Sequence, residues 1–304
     1  MRQPGVTVWS TTPAEWSGTR RLAGFDSSSD EVSFVTSEME AVERSLYTTR
    51  PVWCSYLGVT CGGKPGSDEY ASIFSINLSF IGISGTIPSE IGNLINLSQF
   101  EMSKGTVKGT IPSTVGLMTA LKILSLRYNS LTGTIPAEIG ALTSLVTFDA
   151  SDNDLSGSIP STIGGLATLA YLKLPLNKLV GTIPSSMSKL TKLAQFDFSD
   201  NKLTGTIDNI MMPNMQEILI PRNSLGGTIP SSISTLSQLL KLDLNNNYLT
   251  MGSATTMPEN YFGMTTRQGL LDISSNCLTY TSVAFPRQST TATQCPLIGT
   301  YLCW

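Results

Sequence analysis

The chain has 304 residues, a net charge of −3, 13% charged side chains, five cysteines and no histidine. The missing histidine excludes Ser-His-Asp, Cys-His and histidine-metal chemistry, and no basic patch points to nucleic acid. No apolar run approaches the roughly 18 residues that a membrane helix needs, so no membrane span is read in this chain.

Residues 1–27 read as a polar amino-terminal tail in which Trp9, Trp16, Leu22 and Phe25 are scattered apolar anchors. Met1 to Ser10 has no apolar h-region, so no signal peptide is visible. Ser28-Ser29-Asp30-Glu31 has the spacing of a capping box. After it Val32, Val35, Met39, Val42 and Leu46 step by three and four, which places one apolar stripe on a helix. Residues 28–70 are therefore read as a helical cap that ends on Cys54 and Cys61.

The next two hundred residues are governed by a repeat. Gly-Thr-Ile-Pro stands at Gly85–Pro88, Gly109–Pro112, Gly133–Pro136, Gly181–Pro184 and Gly227–Pro230. Gly157–Pro160 carries Ser158 for Thr, and Gly205–Asp208 carries Asp208 for Pro. The glycines lie 24 residues apart from Gly85 to Gly205 and then 22 apart to Gly227. A chain of this length would ordinarily suggest two domains. A fixed period overrides that expectation, because it means one supersecondary unit stacked many times.

Within a unit, Leu124 and Leu126 have strand period and point to one face. Asn129 then turns the chain, and its amide can satisfy backbone groups left unpaired there. The frame recurs at Asn153, Asn177, Asn201, Asn223, Asn247 and Asn276, whereas Ile81 and Gly105 stand in the asparagine position of the first two copies. The phenylalanines Phe100, Phe148 and Phe196 recur in alternate units and are expected in the core. The last unit is longer, with Tyr261 and Phe262 in an insertion where a helical turn is expected.

Residues 71–276 resemble leucine-rich repeats of the plant-specific subtype, L-x-x-L-x-x-L-x-L-x-x-N-x-L-x-G-x-I-P. The resemblance implies an α/β solenoid, a right-handed superhelix of about nine repeats with a concave parallel β-sheet and a second extended piece on its flank. At about 4.8 Å per strand the sheet would be about 40 Å across.

No cysteine lies inside the array, and solenoid ends need caps. Cys54-Ser-Tyr-Leu-Gly-Val-Thr-Cys61 resembles the C-x-W-x-G-V-x-C cap of plant extracellular leucine-rich repeats, with Tyr56 for Trp. That resemblance implies a Cys54–Cys61 disulfide. In the carboxy-terminal cap, residues 277–304, Cys277–Cys295 is the first expectation and Cys295–Cys303 its rival, since spacing does not fix connectivity. Disulfide-bonded caps and the sequons Asn77-Leu-Ser and Asn96-Leu-Ser point to an extracellular or cell-surface chain. Asn96 should precede a strand, and Asn77 should stand on the sheet face.

Strands in register would align exposed side chains into columns. One column reads Asn77, Glu101, Ser125, Asp149, Lys173, Asp197, Leu219, Asp243, Asp272; another reads Phe80, Lys104, Tyr128, Asp152, Leu176, Asp200, Arg222, Asn246, Ser275. Asp149 and Asp152 would lie about 10 Å from Asp197 and Asp200. That is near the separation of an inverting glycosidase pair, but an open face offers nothing to raise one pKa over the other. Calcium binding is interrupted by Lys173. Thr86, Thr110, Thr134, Ser158, Thr182, Thr206 and Thr228 form a further column, a regular hydroxyl row that resembles those of ice-binding solenoids.

The resemblance implies a non-catalytic extracellular module that binds a protein, peptide or glycan on the concave sheet and uses no cofactor. The expected contact residues are Arg127, Tyr128, Asp149, Asp152, Tyr171, Lys173, Asp197, Asp200, Arg222 and Asp243, and losing Asp149 with Asp197 should weaken binding without lowering the melting temperature. The alternative is a structural subunit of an extracellular assembly, with neighbouring subunits docked on tail, flanks and caps and Cys303 available for cross-linking. Ice binding through the threonine column is a minor third reading.

Overall fold

The computed structural model describes residues 58–62, 72–250, 270–273 and 275–276. The tail 1–27, the helix after Ser28, Cys54, the Tyr261–Phe262 insertion, and Cys277, Cys295 and Cys303 lie outside the described residues.

The apolar pairs of successive repeats form nine short parallel strands: Ser72–Asn77, Gln99–Glu101, Ile123–Ser125, Thr147–Asp149, Tyr171–Lys173, Gln195–Asp197, Glu217–Leu219, Lys241–Asp243 and Leu270–Asp272. Val59–Gly62 adds an antiparallel strand to the first of them, with a register shift between Thr60 and Cys61. Cys61 is disulfide-bonded. The register is uniform. Asn77 pairs with Glu101, Ser125 with Asp149, Asp149 with Lys173, Lys173 with Asp197 and Asp243 with Asp272, so like positions fall into columns as the period predicts.

Each strand sends its leucines to one continuous apolar column. Leu121, Leu124, Leu126 and Leu131 are fully buried, as are their counterparts in the next three coils. Phe100, Phe148 and Phe196 are buried in this core in alternate coils, and Phe198 meets Phe196 with ring centroids 5.0 Å apart. A single coil has no second layer to cover these side chains, so its neighbours are its core.

The ladder asparagines sew the coils together. Asn129, Asn153, Asn177, Asn201 and Asn223 accept the N–H of Val107, Leu131, Leu155, Leu179 and Leu203 at 3.0–3.2 Å. Their amide nitrogens donate back to carbonyls of the preceding coil, among them Leu126, Ala150 and Leu174 at 3.0 Å. The ladder starts at the third repeat, as the sequence indicates. Gly105 lacks the side chain for this role, and a Cβ there would stand 2.7 Å from the Ile83 carbonyl and 2.9 Å from Asn129 Oδ1.

The residues that lead into the Gly-x-Ile-Pro segments form two flanking sheets of three and four short strands. Their glycines take positive φ, and at Gly133, with φ +75, the next atom outward is the Thr110 methyl. After each proline the chain turns through one short 3₁₀ helix, for example Ala137–Ala141 or Ser161–Gly165. These turns are not foreseen from the sequence. They arise because the proline fixes φ near −65° at the entry, and because a tight turn brings the chain back to the sheet in few residues. Where Asp208 replaces the proline the turn shrinks to Asp208–Ile210, and the spacing of this repeat falls by two residues.

Candidate functional site on the sheet face

The face opposite the core carries the side chains that alternate with the buried leucines, followed by the residue that turns the chain into the ladder asparagine. All ten expected contact residues fall on this face. Tyr128, Tyr171 and Arg222 are exposed; Arg127, Asp152, Lys173, Asp197, Asp200 and Asp243 are half-buried; Asp149 is buried.

The turning position has a geometry that composition does not reveal. Phe80, Lys104, Tyr128, Asp152, Leu176, Asp200, Arg222, Asn246 and Ser275 all have φ between +53° and +66°. This left-handed conformation is disfavoured for bulky L-residues. Aspartate and asparagine tolerate it best, so Asp152, Asp200 and Asn246 are the signal that could have exposed it. The conformation aims each of these side chains along one edge of the face.

Several acidic groups are engaged locally. Asp149 Oδ1 accepts the Ser151 N–H at 3.0 Å and the Ser151 hydroxyl, and Asp197 does the same for Ser199. Asp149 is only 8% exposed. The expectation that both could be removed at no cost in stability is therefore corrected: each satisfies a backbone N–H at the end of its strand. The two carboxylates are held by equivalent hydrogen bonds, so these contacts do not give them the different roles of a glycosidase pair. Asp200 and Arg222 form a two-pronged ion pair, and the guanidinium is held above its ordinary value by that hydrogen bond. Farther along, Asn245 donates to Asp243 at 2.8 Å and to Asp272 at 3.0 Å. Burial pushes the Asp243 carboxyl upward, the Asn245 N–H opposes this, and Asp272 adds to it.

The other end of the face is aromatic and cationic. Lys104 Nζ lies 4.9 Å from the centroid of Phe80 and 5.7 Å from that of Tyr128, and Arg127 Cζ lies 5.8 Å from Tyr128. Phe80 and Lys104 belong to a column that the sequence exposes, but they are not among the expected contacts. Among the described residues no group of three or more His, Cys, Asp or Glu could hold a metal ion. A groove of about 460 Å³ lies in the layer of 3₁₀ turns, lined by Ala137, Gly140, Gly165 and Lys189, and not on the sheet face.

The family model for a leucine-rich repeat region matches residues 74–253. The chain belongs to the leucine-rich repeat proteins. A stretch of 99 residues is 35% identical to the LRR receptor-like serine/threonine-protein kinase GSO2 of Arabidopsis thaliana, covering 32% of this chain and 7% of that protein. The plant peptide hormone receptor RGFR1, solved in complex with RGF2, is similar at 34% identity with a TM-score of 0.59, over 65% of this chain and 31% of the receptor. The Arabidopsis receptor kinase HAESA ectodomain, solved with an N-terminally extended IDA peptide hormone ligand, is similar at 26% identity with a TM-score of 0.63, over 82% of this chain and 42% of that one. The matched part thus spans less than half the length of each of these relatives. The similarity lies in the leucine-rich repeats, and it does not extend to this chain the kinase activity named for two of these proteins.

Proposed function

We propose that this chain is an extracellular recognition module that takes an extended peptide or protein segment along its sheet face, without catalysing a reaction on it. One observation carries the reading. The face presents in-register columns, and among its side chains Tyr128, Tyr171 and Leu176 are exposed and unengaged by any hydrogen bond. Exposed aromatic groups on a rigid sheet bury large area at small entropic cost when a partner arrives. The similarity to receptors solved with the peptide hormones RGF2 and IDA supports a peptide as the class of ligand.

Within this reading Tyr128, Tyr171, Lys173 and Asp152 are contact groups, while Asp149 and Asp197 hold the strand ends. The sequon at Asn96 lies exposed in the turn before Gln99–Glu101 and is a suitable place for a glycan. Asn77 is exposed on the face itself, so a glycan there would cover the first repeat.

The test is an array of random dodecapeptides probed with the purified chain. Wild-type protein should retain a subset in a saturable manner, and Tyr171→Ala combined with Asp152→Asn should lose most of it while melting normally. Asp152→Asn preserves a residue tolerant of the local φ of +53°. Retention that is unaltered in this variant removes the face from consideration.

A further inference from the structure

We propose that the amino-terminal third of the face, built by Phe80, Lys104, Arg127 and Tyr128, selects an acidic peptide segment in which Asp or Glu stands beside an apolar side chain. This rests on the peptide-binding reading above and adds to it the charge of the ligand and the place where that charge docks.

Two cations converge on one ring here. Lys104 Nζ and Arg127 Cζ both lie within 6 Å of the Tyr128 centroid, and Lys104 also sits over Phe80. The backbone fixes the arrangement, because Lys104 donates its N–H to the Arg127 carbonyl at 3.1 Å from the neighbouring coil. Positive φ at Phe80, Lys104 and Tyr128 then directs all three side chains along the same edge.

Neither cation is neutralised. Among the described residues the ion pairs within 4.0 Å are Lys178–Asp154 and Arg222–Asp200. Glu101, the carboxylate on the strand preceding Lys104, pairs with neither, and Asp149 and Asp152 on the coil after Arg127 do not pair with them either. Arg127 Nε is buried without a hydrogen-bond acceptor, so no oxygen of the protein offsets the guanidinium charge from that side. Meanwhile Phe80 is 64% and Tyr128 is 44% exposed. Uncovered rings beside unpaired cations match a carboxylate carried next to an apolar side chain: the rings take the apolar part and the cations take the charge.

The remainder of the face discourages the same ligand. From the fourth repeat onward it displays Asp149, Asp152, Asp197, Asp200, Glu217, Asp243 and Asp272 against Lys173, Arg222 and Lys241. An acidic segment is therefore steered to the first coils, and the basic part of a longer peptide would lie over the later ones.

The same dodecapeptide array decides the matter when its members are grouped by charge. Wild-type protein should retain Asp- and Glu-containing peptides preferentially, and their Asn and Gln counterparts should bind about tenfold more weakly or worse. Lys104→Gln with Arg127→Gln should reduce retention of the acidic group about tenfold or more, whereas Lys189→Gln with Lys192→Gln, on and just after a 3₁₀ turn, should leave it unchanged. Equal loss in both pairs would mean unspecific charge attraction and overturn the proposal. So would a preference limited to phosphorylated or sulfated members. Retention that depends on Tyr171 and Asp152 but ignores peptide charge overturns this inference alone; no retention at all overturns the peptide-binding reading with it.

Discussion

Asn153 Oδ1 accepts the N–H of Leu131 at 3.0 Å, and its Nδ2 donates to the carbonyl of Leu126 at 3.0 Å, so one side chain closes the gap between two coils. Both leucines are fully buried, and water cannot replace the amide. Asn153→Ala should cost about 1–3 kcal/mol for the orphaned groups, read as a lower midpoint in urea unfolding. Asn129→Ala should cost less, because the Asn129 side chain is half-buried where that of Asn153 is buried. Equal losses at both positions would count against the ladder account.

Leu176 sits at φ +55° with its side chain 49% exposed. Replacing it by Asn removes a backbone penalty of about 1 kcal/mol and forfeits little packing. Leu176→Asn should therefore raise the melting temperature by about 2–4 °C. A fall in thermal scanning would show that the exposed leucine packs better than its burial indicates.

The glycines separate into two kinds. A Cβ on Gly133 would lie 2.7 Å from the Thr110 methyl, the far end of a side chain, while a Cβ on Gly140 would lie 2.2 Å from the Thr162 carbonyl oxygen. Gly133→Ala should lose about 1–3 kcal/mol and recover part of it when combined with Thr110→Ser. Gly140→Ala meets rigid backbone, so Thr162→Ser should not rescue it. Chemical denaturation of the four variants gives the comparison.

Asp243 supplies a pH test. Burial raises its carboxyl above 3.8, with Asp272 acting in the same sense against the Asn245 N–H. A group raised on folding stabilises the fold below its unfolded value and loses that contribution as pH rises through the folded value. Asp243→Asn keeps an oxygen for Asn245 and stops the titration. The variant should match wild type near pH 3 and exceed it near neutrality, roughly the window in which a raised carboxyl ionises. Urea midpoints across that range check the sign.

Asp149→Ala is expected to lower stability by about 1 kcal/mol, since the Ser151 N–H loses its acceptor. A calorimetric midpoint unchanged from wild type would restore Asp149 to the list of free contact groups.

Much of the architecture could be read from spacing. Leu124 and Leu126 with Asn129 give strand and turn, and their recurrence forces stacking and register. The 3₁₀ turns after Pro136 and Pro160 were not legible, because five residues without an apolar period carry no helical signal. The candidate site was legible as columns but not as chemistry. Asp149 and Arg127 look alike as charged residues between apolar ones. What separates them is the serine two positions beyond Asp149 and the ring beside Arg127, which only the folded geometry weighs. Phe80 and Lys104 are illegible in the sequence for a similar reason: one reads as an apolar outlier and the other as a solvated lysine, and their meaning lies in the 4.9 Å between them.

The ladder bonds join each coil only to the next, and Asn177 stands to Leu155 as Asn153 stands to Leu131. Cutting out Gly133 through Ser156 would present Leu131 to Asn177 with the same chemistry. Length is thus a free variable of this protein, adjustable in whole turns of about 4.8 Å each. Descendants could lengthen or shorten their reach toward a target without inventing a new interior.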